Sequence, residues 1–196
     1  MHKTRGRPKA FDENEVLTAA MNYFWEHGYT NASLDNLLLV MGIKKSSFYH
    51  SFGSKEQLFS RTLELYRETI SLRLQTLKNQ IGPKKTMLML TEMTINELRE
   101  TGNVKGCLLI NSGQECYNKY EDLSKQIKIE FNFIQGIFEL LIQEAQSKGE
   151  IINQKNFKTI TGRYMNGLHG LIVIIQAGAS DELIDDIVLS LKEILE

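Results

Sequence analysis

Between positions 44 and 50 the chain carries Lys44, Lys45, Ser46, Ser47, Tyr49 and His50 around one wholly apolar side chain, Phe48. Cations, short hydroxyls, a phenol and an imidazole on one short segment suit phosphate oxygens and base edges. A second basic cluster, Lys3, Arg5, Arg7 and Lys9, opens the chain with no acid among it. Its Arg5-Gly6-Arg7-Pro8 core suits a narrow A·T-rich minor groove, where negative potential favours arginine. Ser54-Lys55 would open a helix whose N-terminus attracts anions. Cys107 precedes another expected helix beside Lys105, two conditions that favour the thiolate. Catalytic chemistry finds no comparable grouping. The histidines at 2, 27, 50 and 169 are scattered, with no metal-ligand spacing, phosphate loop or nucleophile elbow. We expect no catalytic residue, metal or cofactor.

The elements that must position these groups are helical. Apolar periodicity near 3.6 dominates the 196 residues, with no run of strict alternation, so the expected class is all-α with about nine helices. Asp12 and Ser33 are N-cap types ahead of apolar-periodic runs, and Ser54 with Gln57 forms a capping-box pattern. Gly28, Gly42 and Phe52-Gly53 mark the ends of three short helices. Leu37, Met41, Ile43 and Phe48 would pack the second helix on the third across Gly42, leaving Lys44 to His50 outside. This is a helix-turn-helix. Later helices are expected near 84–101, 105–117, 120–148, 154–177 and 181–195. The domain reading is an arm and helix-turn-helix over 1–53, then a larger helical ligand-binding and dimerisation domain over 54–196.

Composition agrees with one basic face on a neutral body. Net charge is −1 and hydrophobic residues make up 42%, so the molecule can bury a core and is no general polyanion binder. The N-terminus lacks the apolar stretch of a signal peptide, and Leu171 to Ile175 falls far short of the ~20 residues a span needs. Two cysteines make no disulfide framework, so a reducing cytoplasm is expected, with no membrane partner.

Ala19 to Phe59 resembles the DNA-binding domain of the TetR family of bacterial regulators. The resemblance lies in Phe24-Trp25-Glu26-His27-Gly28-Tyr29 and in the unbroken stretch from Gly42 to Phe59. It implies base reading by Lys44, Lys45, Ser46 and Ser47, and phosphate contacts from Ser33, Tyr49, His50 and Lys55. Ala32 stands where the family often has threonine. The resemblance further implies a homodimer on a double-stranded DNA operator, most often a palindrome, released by a small-molecule inducer. A stripe of Tyr164, Leu168, Leu171 and Ile175, with Ile184, Ile187 and Leu191, is the expected dimer face. Gly162, Gly167 and Gly170 would allow close approach. The inducer or sensor region is expected over 84–150, with Met89, Met93, Cys107, Asn111, Glu115 and Phe131 as candidates. Gly106-Cys107-Leu108 also resembles a subgroup in which some members sense electrophiles or oxidants. A thiol sensor and a nucleoid-associated protein without an inducer are the alternatives.

Overall fold

The structure, a computed structural model, describes residues 11–102 and 104–196. Every regular element among them is a helix. The chain divides into two compact units, the first running to Tyr66 and the second beginning at Arg67.

The first unit holds α1 (Glu13–Asn31), α2 (Leu34–Met41), α3 (Lys45–Phe52) and the opening turns of α4 (Lys55–Ile81). The caps are those the sequence indicated. Asp12 Oδ1 accepts from the amides of Asn14 and Glu15 at 2.8 and 3.2 Å, and Ser33 Oγ from Asn36 at 3.2 Å. Gly28 breaks α1 as expected, with φ 79° and ψ 165°, but the chain re-enters a helical turn through Asn31. That turn is held because Tyr29 is buried against the rings of Phe24 and Phe59, at 6.2 and 4.9 Å.

The core of this unit is shared by all four helices. Phe24, Leu37, Phe48, Leu58, Phe59 and Leu63 are essentially inaccessible. Each contributes about 1.5–3 kcal/mol of burial. Three of them lie on α4, so the compact unit extends well past residue 53. A helix start marks a change of direction, whereas packing decides where a unit ends.

The second unit contains the rest of α4 with α5 (Pro83–Thr101), α6 (Leu108–Cys116), α7 (Glu121–Ser147), α8 (Phe157–Gln176) and α9 (Asp181–Ile194). Met87, Leu108, Leu109, Leu123, Ile142, Ile160 and Leu171 fill its centre. Tyr164 is wholly buried; its phenol donates to the Met87 carbonyl and lies 3.1 Å from Thr91 Oγ1. Burial raises its pKa, opposed in part by Thr91. The sixth helix begins at Leu108 rather than 105, because residues 104–107 run outside any helix and Gly106 takes φ +74°.

Candidate nucleic-acid interface

The turn between α2 and α3 depends on one residue. Gly42 adopts φ 63°, ψ 27°, and its amide returns to the carbonyls of Leu38 and Leu39. A side chain there is strained by roughly 1–2 kcal/mol, so glycine sets the angle at which α3 leaves. α3 then commits Phe48 and Phe52 to the core. Its other side is open: Lys44, Lys45, Ser46 and His50 are exposed, Tyr49 is 51% exposed and Ser47 half-buried. Lys45, Ser46, Tyr49 and His50 recur at i, i+1, i+4 and i+5, one outward face. Ile43 is half-buried beside the turn while Leu37 and Met41 are fully buried.

Electrostatics single out the same face. Lys44 is the N-cap of α3 and Lys45 its first residue, with no acid in the first turn and no side-chain cap. Two cations at the positive end of a helix are locally unfavourable, and an anion bound there relieves the repulsion.

Lys55 does not do what the sequence suggested. Its Nζ donates to the carbonyls of Tyr29 and Ala32 at 2.7 and 2.8 Å and sits 4.4 Å above the Tyr29 ring. The ammonium therefore ties the end of α1 to the start of α4. What α4 offers an anion is its first backbone N–H groups, below the cap in which Ser54 Oγ accepts from Gln57 N at 3.1 Å. Sequence reasoning also missed Arg61, which pairs with Glu13 and covers the Phe52 ring at 5.1 Å. Nothing local in sequence links positions 48 residues apart. Ser33 is exposed at the start of α2 with its Oγ in the cap. Arg5 and Arg7 lie outside the described residues.

The residues of the expected dimer face lie largely under the chain's own helices. Tyr164, Leu168, Leu171, Ile175, Ile184 and Leu191 are buried within the single chain, and Ile187 is half-buried. An apolar stripe marks the face toward a core without saying whose core. Gly167 likewise serves the chain's own α9: a Cβ there would fall 2.7 Å from Leu191 Cδ2. Around Gly162 and Gly170, by contrast, the space is open.

The sensor candidates scatter. A cavity of about 360 Å³ between α6 and α7 is lined by Leu109, Ile110, Gln114, Tyr117, Lys128 and Phe131, among others. Of the six candidates only Phe131 reaches it. Met93 Sδ accepts from Arg73 at 3.4 Å. Met89 is half-buried, as is Glu115, which helps raise the pKa of neighbouring Cys116. Asn111 donates to the Lys105 carbonyl at 2.9 Å. Cys107 is half-buried and lies outside that lining; it raises the pKa of His169 against the opposing effect of burial. Cys116 is buried, and burial, then Glu115, push its thiol up to about 11 against the pull of Lys119, which leaves it inert. Neither cysteine is in a disulfide. Among the described residues no helix is long and apolar enough to cross a membrane, and no group of three His, Cys, Asp or Glu side chains is placed to hold a metal.

A small helical unit with a glycine turn and an outward basic helix defines a helix-turn-helix DNA-binding protein. Residues 16–62 match the family model described as bacterial regulatory proteins, tetR family. The uncharacterized HTH-type transcriptional regulator YezE of Bacillus subtilis is 28% identical over 82% of this chain and 84% of its own length. The HTH-type transcriptional repressor ComR of Escherichia coli is 27% identical over 76% of this chain and 72% of its own. In fold, the chain is similar to the reduced form of Escherichia coli NemR, with a TM-score of 0.81 at 20% identity, covering 93% and 95% of the two chains. Over residues 16–62 the chain thus carries a DNA-binding domain of the tetR kind, and it is a DNA-binding transcriptional regulator.

Proposed function

We propose that this regulator is a cytoplasmic, non-enzymatic repressor that binds a palindromic operator as a homodimer and is released by a small molecule. The observation that carries the reading is the uncompensated pair of lysines at the positive end of an outward-facing α3. Lys44, Lys45, Ser46 and Ser47 read bases. Ser33, Tyr49, His50 and the opening amides of α4 hold phosphates, with Arg5 and Arg7 in the adjacent minor groove.

The similar Escherichia coli protein named a repressor supports the sign of regulation. For the dimer, the support is the side of α8 that the chain leaves uncovered. Gly162, Asn166 and Val173 are exposed there and Gly170 is half-buried, beside exposed Leu183 and half-buried Ile187 of α9. Small residues let a second copy's helices approach closely. For the inducer, the support is the cavity between α6 and α7. Its volume, near 360 Å³, and apolar walls fit a small apolar molecule, with Gln114 and Lys128 available to an acceptor group. Differential affinity of the ligand for two arrangements of the dimer would release the DNA.

A second reading has its own observation. Cys107 is half-buried just ahead of α6 and raises the pKa of His169, so the release signal is instead modification of that thiol. The similar NemR structure is of a reduced form. Footprinting on DNA upstream of the chain's own gene separates the readings. A symmetric protected site that disappears with small apolar compounds supports the first. One that disappears only with thiol reagents supports the second. Dispersed, weak protection refutes both.

A further inference from the structure

α6 and α7 pack on each other and leave between them the cavity of about 360 Å³. Leu109, Ile110, Ile127 and Phe131 give it apolar walls, and Tyr117, 70% exposed, lines it from the end of α6. Two of its features have no explanation in packing.

The first is Gly113. It lies inside α6, and its backbone is not in the left-handed region that favours glycine. A Cβ there would meet Ile127 Cγ2 at 3.7 Å, an ordinary contact. Neither the backbone nor the neighbours require glycine, and glycine weakens a helix relative to alanine. What its missing side chain leaves is room, and that room belongs to the cavity it lines.

The second is charge. Among the described residues that line the cavity, Lys128 alone is charged. Its own helix gives it no acid: Ser124 and Asn132 stand four residues away, and Lys125 and Phe131 three. Lys125, by contrast, is held by Glu121 at 2.7 Å. Neither the Lys128 ammonium nor the Gln114 side-chain amide has a hydrogen bond or ion pair among the described residues. Ser124 Oγ donates to the Cys116 carbonyl at 3.0 Å, so its proton is already placed. The donors left to a ligand are one ammonium, one amide and the Tyr117 phenol.

We propose that this cavity takes a small carboxylate with an apolar tail, the tail beside Gly113 and the carboxylate against Lys128 and Gln114. This rests on the inducer cavity of the proposed function and names the class of molecule that fills it. An ion pair formed against an apolar wall is stronger than one in open water, so the unpaired cation favours an anion over a neutral molecule of the same shape. One ammonium matches the single charge of a carboxylate and repels an amine. The ligand touches both helices, Gln114 from α6 and Lys128 from α7, so its binding favours one spacing of the pair.

The test titrates the full chain by calorimetry with octanoate, octanol and octylamine, each below its micelle-forming concentration. Octanoate is expected to bind about tenfold tighter than octanol, the gain of one charge-assisted hydrogen bond, and octylamine more weakly than either. Lys128→Met, at an exposed position, should bring octanoate down to the level of octanol. Gly113→Leu should abolish binding of both by filling the space. Gly113→Ala, which the neighbours accommodate, should raise the unfolding midpoint and weaken octanoate, and it keeps the test open if the larger side chain does not fold. If neither octanoate nor octanol binds, the inducer cavity falls and this inference with it. If octanol binds as tightly as octanoate, or Lys128→Met leaves octanoate unchanged, the cavity stands and the carboxylate class is overturned. Octanoate binding that survives both changes at Gly113 undiminished lies elsewhere and overturns the site.

Discussion

Replacing Lys55 by methionine separates two jobs that one lysine could hold. Methionine keeps most of the apolar stem and removes the ammonium. The structure gives that ammonium two carbonyl partners at 2.7 and 2.8 Å and the Tyr29 ring at 4.4 Å. Hydrogen bonds from a charged group contribute about 1.5–3 kcal/mol each, and a surface cation–π contact about 0.5–1 kcal/mol. Against this stands the cost of partly desolvating the ammonium, which the variant no longer bears. The net loss is about 2–4 kcal/mol, because Ala32 is fully buried and its carbonyl is left without its donor.

For a chain of this size such a loss lowers Tm by about 4–16 °C. The assay pairs thermal unfolding of the free protein with operator affinity over a salt series at a temperature where the variant is folded. A side chain that neutralises a phosphate adds about 0.9 to the slope of log K against log salt. We expect Lys55→Met to lose stability and keep the slope. An unchanged Tm with a slope reduced by about one would refute the reasoning and return Lys55 to the phosphate contacts.

Lys45→Ala should weaken specific binding by about 1–3 kcal/mol if the residue reads a base, and gel-shift titration against specific and scrambled operators checks it. Equal losses on both would make it a phosphate contact. Gly42→Ala meets no neighbour within 4 Å, so its cost is conformational alone, about 1–2 kcal/mol in a denaturant titration. Tyr164→Phe removes the hydroxyl that the Met87 carbonyl and Thr91 share in the core. About 1–3 kcal/mol of stability should go with it, and no change in the unfolding midpoint would contradict the pairing.

The order and approximate bounds of the helices were legible because caps, glycines and periodicity are local signals. Asp12, Ser33 and Gly42 each act where the sequence placed them. The misplaced features depend on residues far away in the chain. Lys55 reads as a phosphate lysine from its neighbours, but its flexible stem ends on carbonyls 23 and 26 residues earlier. The start of α6 slips because Ile172 and Gln176 claim the segment before it. His169 was readable only as a core or interface histidine in an apolar helix, since the Cys107 that acts on it lies outside that helix. The dimer stripe is ambiguous for a different reason. Burial against the chain's own helices and burial against a second copy write the same period, and the open face of α8 is written in small residues that carry no apolar signal.

One local conflict carries functional information, and it yields the sharpest test of the interface. α5 also begins with two lysines after its first proline, yet Glu150 Oε2 reaches its end and accepts from the Lys84 amide at 3.0 Å. α3 has no such partner: among the described residues neither the Lys44 nor the Lys45 ammonium has a hydrogen bond or ion pair. Lys44 sits in an extended N-cap conformation, φ −78° and ψ 152°, which aspartate adopts readily. Lys44→Asp should therefore stabilise the free protein, by about 0.5–2 kcal/mol from the cap and about 0.3–1 kcal/mol from the helix dipole. It should also weaken DNA binding severely, since a carboxylate would face the phosphates. A protein evolved for stability alone would not keep the lysine. The reasoning fails if Lys44→Asp gives no rise in unfolding midpoint, because the end of α3 would then already be satisfied. It fails equally if operator affinity survives the change, because the anion that this helix end awaits would then not be DNA.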